Sequence, residues 1–297
     1  MENTTSFDYD TAFSRNIGWL RADEQRLISR KRVAIAGLGG VGGEHLVTLS
    51  RLGVQHFHLA DFDDFGVHNM NRQAGAFMST LGEAKLSVMA RVANDINPES
   101  EINRFADGVN EGNLDRFLEG VDLYVDGLDF FVLDIRRKVF AACRERGIPA
   151  ITAAPLGMGM SFLYFDPKGM SFEDYFQLEG QPEFEQYARF AAGLSPAMLN
   201  RHYLVAPDAV NLAEKRGPST AMAIKLCAGF LGTSALKLLL GRGELPAAPW
   251  SLHFDAYQLK FKRCWRPGGN RHPLQRLLLR LMRPVFLGAA KAGNAPT

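Results

Sequence analysis

A glycine-rich turn between a predicted strand and a predicted helix constrains the fold of this chain more than any other feature. The strand is the β-branched run Arg32–Ala36 (RVAIA), the turn is Gly37–Gly43 (GLGGVGG), and the helix continues over Glu44–Leu52. A short apolar run that passes through glycines directly into a helix is typical of the first unit of a parallel, nucleotide-binding sheet. The chain is therefore predicted to begin its core with such a unit.

The glycines of this turn have separate predicted roles. Gly37 makes the tight turn, Gly39 lets the backbone approach a phosphate, and Gly42 lets the helix pack against the strand. The free N–H groups at the start of the helix then favour an anion. Asp61 ends the next predicted strand, where a carboxylate accepts hydrogen bonds from a ribose. A glycine-rich turn without a ligand is the alternative, and the strand and helix on either side argue against it.

The remaining chain alternates between strands and helices, which predicts an α/β fold with a Rossmann-like, doubly wound, mostly parallel sheet. The pattern changes near Leu156, after which later strands and helices extend the fold. We divide the chain into an N-terminal helical segment (1–30), a Rossmann-like core (31–166), a completing segment (167–266) and a tail (267–297). The predicted elements are strands Val54–Ala60, Glu101–Phe105, Val121–Asp126, Pro149–Ala154, Met160–Phe165 and Leu252–Trp265, and helices Lys85–Asn97, Leu133–Arg146, Ser219–Leu240 and Leu274–Met282.

Charged side chains beyond the second strand indicate a reaction on a triphosphate. Arg72 and Lys85 are two cations, and Asp61, Asp63 and Asp129 are carboxylates. Cations neutralise negative charge that develops on a phosphate, and a carboxylate can hold Mg²⁺. A dehydrogenase does not need this set, and the chain has no GxxxxGK[ST] loop of the P-loop NTPases. An NAD(P)-dependent oxidoreductase and a non-catalytic nucleotide-binding module stay open as alternatives.

Five motifs in a fixed order carry a resemblance to a known family. They are RVAIAGLGGVGG, LADFDD, NMNRQ, GEAKL and VDGLD, preceded by the segment AFSRN. In this order and spacing they resemble the ThiF/MoeB/HesA family of E1-like adenylating enzymes over about residues 12–166. The resemblance implies an enzyme that binds ATP and Mg²⁺ and activates a carboxylate as acyl-AMP, with release of pyrophosphate. The carboxylate is usually the C-terminus of a ubiquitin-like or sulfur-carrier protein.

The resemblance also assigns roles to single residues. The implied nucleotide contacts comprise phosphate-binding glycines, a ribose-binding carboxylate with a second carboxylate just beyond it, and three phosphate-binding polar side chains. In that order these residues are Gly37, Gly39, Gly40 and Gly42, then Asp61 and Asp63, then Asn69, Arg72 and Lys85. By the same resemblance, Asp129 would coordinate Mg²⁺. Arg15 would reach the nucleotide of a second subunit, which implies a homodimer.

Four of these assignments have a structural alternative. Arg72 and Arg15 fit surface arginines, and Lys85 fits a solvated lysine on a helix face, because charged residues are mostly exposed. Asp129 fits the N-cap of the predicted helix Leu133–Arg146. The motif context favours the functional interpretation for each of them.

The cysteines argue against two features found in many relatives. The chain has three cysteines, Cys143, Cys227 and Cys264, and no CxxC pair, so a structural zinc site is not expected. The segment from about Phe165 to Pro218, where relatives carry a thioester-forming cysteine, contains none. We therefore expect the enzyme to stop at the adenylate and pass it to an external nucleophile. Some relatives adenylate peptide side chains or a tRNA-borne carboxylate, and the NxNRQ motif is compatible with these branches.

The net charge of +2 conceals a basic tail. No acidic residue follows Asp255, whereas nine Lys and Arg residues do, so the first 255 residues carry a net −7. An amphipathic helix is predicted here, with arginines between the apolar positions. Packing of this helix on the domain is the favoured interpretation, and contact with a membrane surface, an acidic carrier or tRNA is the alternative. Its apolar positions are Leu274, Leu277, Leu278, Leu281, Met282 and Val285, and its arginines are Arg276, Arg280 and Arg283.

The sequence predicts a cytoplasmic protein. The apolar run around Leu226–Leu240 is interrupted by Lys237 and is shorter than the roughly 18 residues that a membrane span requires. The polar, acidic stretch Met1–Asp10 does not have the pattern of a secretory signal. Three widely spaced cysteines fit a reducing compartment.

Overall fold

The computed structural model describes residues 6–206, 214 and 217–293. The chain forms two compact units. The first contains the residues up to Leu128 together with Ala228–Leu245, and the second contains Asp129–Cys227 together with the residues from Pro246 onward. The predicted mixed α/β fold is confirmed.

The first unit contains four parallel strands in the order β3-β2-β1-β4. Residues 33–36 of β1 and 57–60 of β2 are buried, as a parallel strand covered on both faces requires. Ala36 pairs with Ala60 on one side and with Asp126 on the other, so three strands end side by side. The strands are β1 (Arg32–Ala36), β2 (His56–Ala60), β3 (Glu101–Phe105) and β4 (Leu123–Asp126).

The two helices predicted in the first unit are present, and both end close to their predicted bounds. The helix after the glycine turn begins at Gly40 rather than Glu44, and Gly53 ends it in the left-handed conformation with φ of 99°. Asn97, before Pro98, ends the fourth helix, since the residue before a proline disfavours helical geometry. The helices are α1 (Tyr9–Ala12), α2 (Ala22–Ser29), α3 (Gly40–Leu52), α4 (Lys85–Ile96) and α5 (Leu114–Phe117).

The second unit contains four antiparallel strands in the order β5-β6-β7-β8. Its core includes a cluster of phenylalanine rings around Phe172, which stacks on Phe140 with ring centroids 4.5 Å apart. The strands are β5 (Ala150–Leu156), β6 (Gly159–Phe165), β7 (Trp250–Asp255) and β8 (Lys260–Trp265), and the helices are α6 (Asp134–Glu145), α7 (Phe172–Phe176), α8 (Glu183–Leu194) and α10 (Pro273–Gly293).

The prediction of a single strand over Leu252–Trp265 was wrong, because this stretch contains a hairpin of β7 and β8. The Asp255 side chain accepts a hydrogen bond from the backbone N–H of Gln258 at 2.9 Å, which closes the turn locally. Leu259 adopts a left-handed conformation with φ of 53°, which completes the reversal. A local polar contact therefore interrupts a run whose residue types favour one strand.

The helix predicted over Ser219–Leu240 is α9 (Ala221–Leu240), whose residues belong to both units. The expectation of an apolar run too short to span a membrane was wrong, because by length and composition α9 could cross one, although half of it is buried inside the protein. Among the described residues it is the one helix that meets this test. Ala223 and Cys227 in the second unit, and Leu231 and Ala235 in the first, are fully buried. Such burial is typical of a core helix.

Acid is expected to destabilise the first unit through His45. This residue of α3 is fully buried, and neither ring nitrogen has a hydrogen-bond partner in the described part of the chain. Burial lowers the pKa of His45 from 6.5 to about 3, because the charged form loses its hydration. A lowered pKa means that the unfolded chain binds the proton more tightly. The contribution of the neutral His45 ring to the free energy of unfolding is therefore complete above about pH 6.5 and decreases as the pH falls towards 3.

We expect the free energy of unfolding to fall by about 2 kcal/mol between pH 6.5 and pH 5 through this group alone. Urea unfolding at both pH values measures the loss. His45→Leu, which removes the titrating ring but keeps an apolar side chain, is expected to lose less stability over the same interval. An identical loss in both proteins would contradict the role of His45.

Candidate functional site

The glycine turn has the geometry predicted for Gly37 and Gly42. Gly37 has φ of 84°, and a side chain there would overlap the carbonyl of Gly127 in the loop after β4. The Gly37 N–H donates to the Ala60 carbonyl at 2.8 Å, which holds the turn against the end of β2. A side chain at Gly42 would overlap the Gly37 carbonyl. Both glycines are therefore required by the close approach of α3 to the strands.

Gly39 differs from its neighbours because it has space around it. A Cβ atom built on Gly39 would have Nε2 of Gln73 as its nearest neighbour, at 3.6 Å. Gly39 is the N-cap of α3 and provides no side-chain capping bond, so the first N–H groups of this 13-residue helix have no partner within the helix. These N–H groups and the positive end of the helix dipole favour a phosphate at this position.

Gln73 is a polar residue at this site that we did not assign from the sequence. Its side chain is 9% exposed, and Oε1 has no hydrogen-bond partner among the described residues. An unpaired buried amide oxygen is unfavourable unless a ligand or water completes its hydrogen bonds. The amide also lies beside the open space at Gly39. The NMNRQ motif contains this glutamine, and only its proximity to Gly39 indicates its role.

Asp61 connects the end of β2 to the glycine turn. Its Oδ2 accepts a hydrogen bond from the Leu38 N–H at 2.6 Å, and its Oδ1 accepts one from the Asp63 N–H at 2.9 Å. Burial raises the pKa of the Asp61 carboxyl above its usual range, against the opposing effect of these two hydrogen bonds. The carboxylate thus shapes the turn, in the position from which the sequence predicts a contact with ribose.

Lys85 and Asp63 form an ion pair beside Asp61. Nζ of Lys85 lies 2.9 Å from Oδ2 of Asp63, and the Lys85 side chain is 7% exposed whereas that of Asp63 is 56% exposed. The backbone N–H of Lys85, at the start of α4, also donates to the Asp63 carbonyl at 2.9 Å. The interpretation of Lys85 as a solvated lysine on a helix face is therefore wrong. A buried ammonium with one exposed partner is a cation that a phosphate can contact.

Asn69 and Arg72 belong to the loop between β2 and α4. Asn69 is buried, and its Oδ1 accepts a hydrogen bond from the Gly66 N–H at 2.9 Å, which fixes a short 3-10 helix at Val67–Asn69. The Arg72 guanidinium donates to the His68 carbonyl and to Oδ1 of Asn71, both at 2.9 Å, and the side chain is half-buried. The loop therefore holds Arg72 in a defined conformation.

Asp129 lies in the second unit and is exposed. Its Oδ1 accepts a hydrogen bond from the Phe131 N–H at 3.0 Å, which makes a tight local turn. The alternative role of Asp129 as a helix N-cap was wrong, because α6 begins at Asp134 and its N-cap position is Leu133. The neighbouring Phe130 packs on Phe190 of α8 with ring centroids 5.3 Å apart.

Arg15 is exposed on a 3-10 helix at Ser14–Asn16. The segment is held to the end of α3 because the Asn16 side chain donates to the Leu52 carbonyl at 3.3 Å and the Tyr9 hydroxyl donates to the Gly53 carbonyl at 2.7 Å. Arg15 thus stands on a firmly anchored segment, with its charged group directed to solvent. The predicted action across a dimer interface stays a prediction.

The three cysteines, Cys143, Cys227 and Cys264, are free and buried. Burial raises the pKa of each thiol above its usual value, which disfavours the reactive thiolate. Among the residues that the structure describes, no group of three or more His, Cys, Asp or Glu side chains could hold a metal ion. The expectations of no zinc site and no resident thioester rest on the sequence argument.

Comparison with known proteins identifies relatives of this chain. The sequence pattern of the ThiF family matches residues 13–274. The tRNA threonylcarbamoyladenosine dehydratase of Bacillus subtilis (strain 168) is 35% identical over 143 residues, which are 48% of this chain and 55% of that protein. The molybdopterin-synthase adenylyltransferase of Escherichia coli (strain K12) is 28% identical over 136 residues, which are 46% of this chain and 54% of that protein.

The chain thus spans about half the length of these curated relatives. A solved structure extends the likeness of fold further along the chain. The crystal structure of E. coli MccB with ATP has a TM-score of 0.63 with 18% sequence identity, and the alignment covers 88% of this chain and 72% of that one.

Proposed function

The chain belongs to the ThiF family, and we propose that it uses ATP to activate a carboxylate as an acyl-adenylate, with release of pyrophosphate. One observation carries the proposal. The space at Gly39 is bordered by the amide of Gln73, and Gly39 is also the N-cap of α3, whose first N–H groups have no partner within the helix. The N–H groups at the start of a helix donate to phosphate oxygens, and Nε2 of Gln73 is a further donor beside this space.

In the proposed reaction a carboxylate oxygen attacks the α-phosphorus of ATP, and the bond to the bridging oxygen of pyrophosphate breaks. No covalent intermediate with the protein is needed, so the protein contributes alignment and neutralisation of charge. Lys85 and Arg72 are the cations proposed to contact the phosphates. The α3 N-terminus and Gln73 would orient the polyphosphate chain, and Asp61 would accept hydrogen bonds from the ribose.

We propose that Asp129 holds a Mg²⁺ ion. When bound, the ion would neutralise phosphate charge, and it needs few protein ligands because water and phosphate oxygens complete its octahedral shell. The exposed carboxylate of Asp129 fits this requirement, since only its Oδ1 accepts the local bond from Phe131. Asp129 itself would hold the metal ion and does not need to transfer a proton.

The substrate proposed is the C-terminus of a ubiquitin-like or sulfur-carrier protein, or a peptide or other carboxylate. The relatives in the comparison include one named for tRNA threonylcarbamoyladenosine and one named for molybdopterin synthase, so the family accommodates different acceptors. All three cysteines are buried with raised thiol pKa, which supports transfer of the acyl group to an external nucleophile. We further propose a cytoplasmic homodimer in which Arg15 reaches the partner's nucleotide.

The test is carboxylate-dependent ATP–pyrophosphate exchange with Mg²⁺ and a panel of carrier proteins, peptides and tRNA. We expect exchange with one class of carboxylate only. We also expect ATP with Mg²⁺ to raise the midpoint of thermal unfolding, whereas NAD(P) leaves it unchanged. Stabilisation by NAD(P) alone would favour the oxidoreductase, and binding of ATP without exchange for any carboxylate would favour a non-catalytic module.

A further inference from the structure

The C-terminal helix α10 of the second unit is held firmly along one side. Leu279 and Phe286 are buried against Ala188 and Ala192 of α8. Arg283 donates two hydrogen bonds to the Glu185 carboxylate, at 2.8 and 2.7 Å. The predicted packing of this helix on the domain is therefore confirmed for one of its faces.

Three leucines of α10 do not take part in this packing. Leu274, Leu277 and Leu281 are 54%, 54% and 66% exposed. They are three and four residues apart, so they form one stripe along the helix. The sequence predicts a single apolar face that contains these leucines together with Leu278 and Met282. The structure divides that face, because only the latter two contact the cluster formed with α8.

The charged residues that α10 itself contributes beside this leucine stripe are all positive. Arg276 and Arg280 are exposed and form no ion pair with a described residue, whereas Arg283 is already paired with Glu185. No acidic residue follows Asp255 in the chain. An exposed apolar stripe with unpaired arginines beside it has the composition of a helix that lies in the interface of a membrane.

We propose that the leucine stripe of α10 binds the surface of an anionic lipid bilayer. Leu274, Leu277 and Leu281 would enter the boundary between headgroups and acyl chains, and Arg276 and Arg280 would contact lipid phosphates. The charge pattern disfavours a second copy of the same face, since a two-fold contact would bring arginines towards arginines. Leucine side chains neither stack on bases nor form hydrogen bonds, so an RNA ligand would leave the stripe unused.

Vesicle flotation of the full chain tests the proposal. At low salt we expect the protein to float with vesicles of phosphatidylcholine and phosphatidylserine and to stay behind with vesicles of phosphatidylcholine alone. The triple variant Leu274→Gln/Leu277→Gln/Leu281→Gln is expected to lose about tenfold or more in affinity, because the apolar insertion is removed. The double variant Arg276→Gln/Arg280→Gln is expected to lose roughly thirtyfold, about fivefold for each arginine.

Two controls separate this effect from loss of folding or of general charge. Glutamine is a good helix former and the substituted positions are exposed, so circular dichroism and thermal unfolding of both variants should match the wild type. Arg51→Gln/Arg104→Gln removes two exposed arginines of the first unit and should leave vesicle binding unchanged. The proposal is overturned if anionic vesicles do not bind. It is equally overturned if the leucine variant binds vesicles normally, or if that variant instead dissociates an oligomer or abolishes tRNA binding.

Discussion

Replacing Lys85 with methionine is expected to lower carboxylate-dependent ATP–pyrophosphate exchange by about a thousandfold. The Lys85 side chain is 7% exposed, so its charge would act on a bound phosphate with little screening by water. Methionine retains an apolar stem of similar length and therefore removes the charge while preserving most of the packing. Exchange is measured with whichever carboxylate supports it in the wild-type protein, and ATP affinity is measured separately by calorimetry.

A matched control for Lys85 exists in the same unit. Nζ of Lys31 lies 2.9 Å from Oδ1 of Asp122, at the opposite end of β1 from the glycine turn. Lys31→Met thus removes a lysine from an ion pair of equal length and should leave exchange and ATP affinity unchanged. In the Lys85 variant, Asp63 loses its partner but is 56% exposed and stays hydrated, so little stability should be lost. If Lys85→Met catalyses ATP–pyrophosphate exchange at the wild-type rate, this lysine does not belong to the proposed site.

Alanine substitutions at Gly42 and Gly39 are expected to have opposite consequences. A Cβ at Gly42 would overlap the Gly37 carbonyl, so α3 would have to move away from the strands. We expect Gly42→Ala to lower the free energy of unfolding by about 3 kcal/mol or more. A Cβ at Gly39 meets no described atom closer than 3.6 Å. Gly39→Ala creates no such overlap and should therefore cost less stability than Gly42→Ala.

The functional effect of Gly39→Ala is expected to be large, because its methyl group would occupy the space proposed for phosphate. ATP with Mg²⁺ should then no longer raise the midpoint of thermal unfolding. Urea unfolding and thermal shift on both variants make the comparison. If Gly39→Ala still binds ATP with wild-type affinity, the nucleotide does not bind at this turn. If Gly42→Ala is as stable as the wild type, that glycine does not have the proposed packing role.

Much of the first unit could be predicted because its signals are local. The strand Arg32–Ala36 has the predicted bounds, since a β-branched and apolar run between turns identifies a strand directly. Glu101–Phe105 also has the predicted bounds, with apolar side chains at Ile102 and Phe105 only. Gly53 ends its helix because glycine readily adopts the left-handed conformation, and Asn97 ends its helix because it precedes Pro98. The hairpin of β7 and β8 could not be predicted from residue type, because it depends on one contact between Asp255 and Gln258.

The candidate site was predicted as a set of residues, whereas its geometry depends on distant parts of the chain. Lys85 and Asp63 are 22 residues apart, and only the return of the loop between β2 and α4 brings them to 2.9 Å. Gln73 has no distinguishing signal in the sequence beyond its motif. Its importance arises because burial leaves its amide oxygen unpaired beside Gly39.

The sequence by itself determined the strand–glycine–helix unit, the chemical types of the candidate-site residues and the separation of charge between body and tail, because these depend on residue identity and short-range periodicity. Tertiary structure alone decided which cation is buried and which leucines of α10 face solvent. The physical reason is that the burial of a side chain depends on which other elements pack against its helix or strand. Helical periodicity gives α10 one broad apolar face, and α8 covers only part of it.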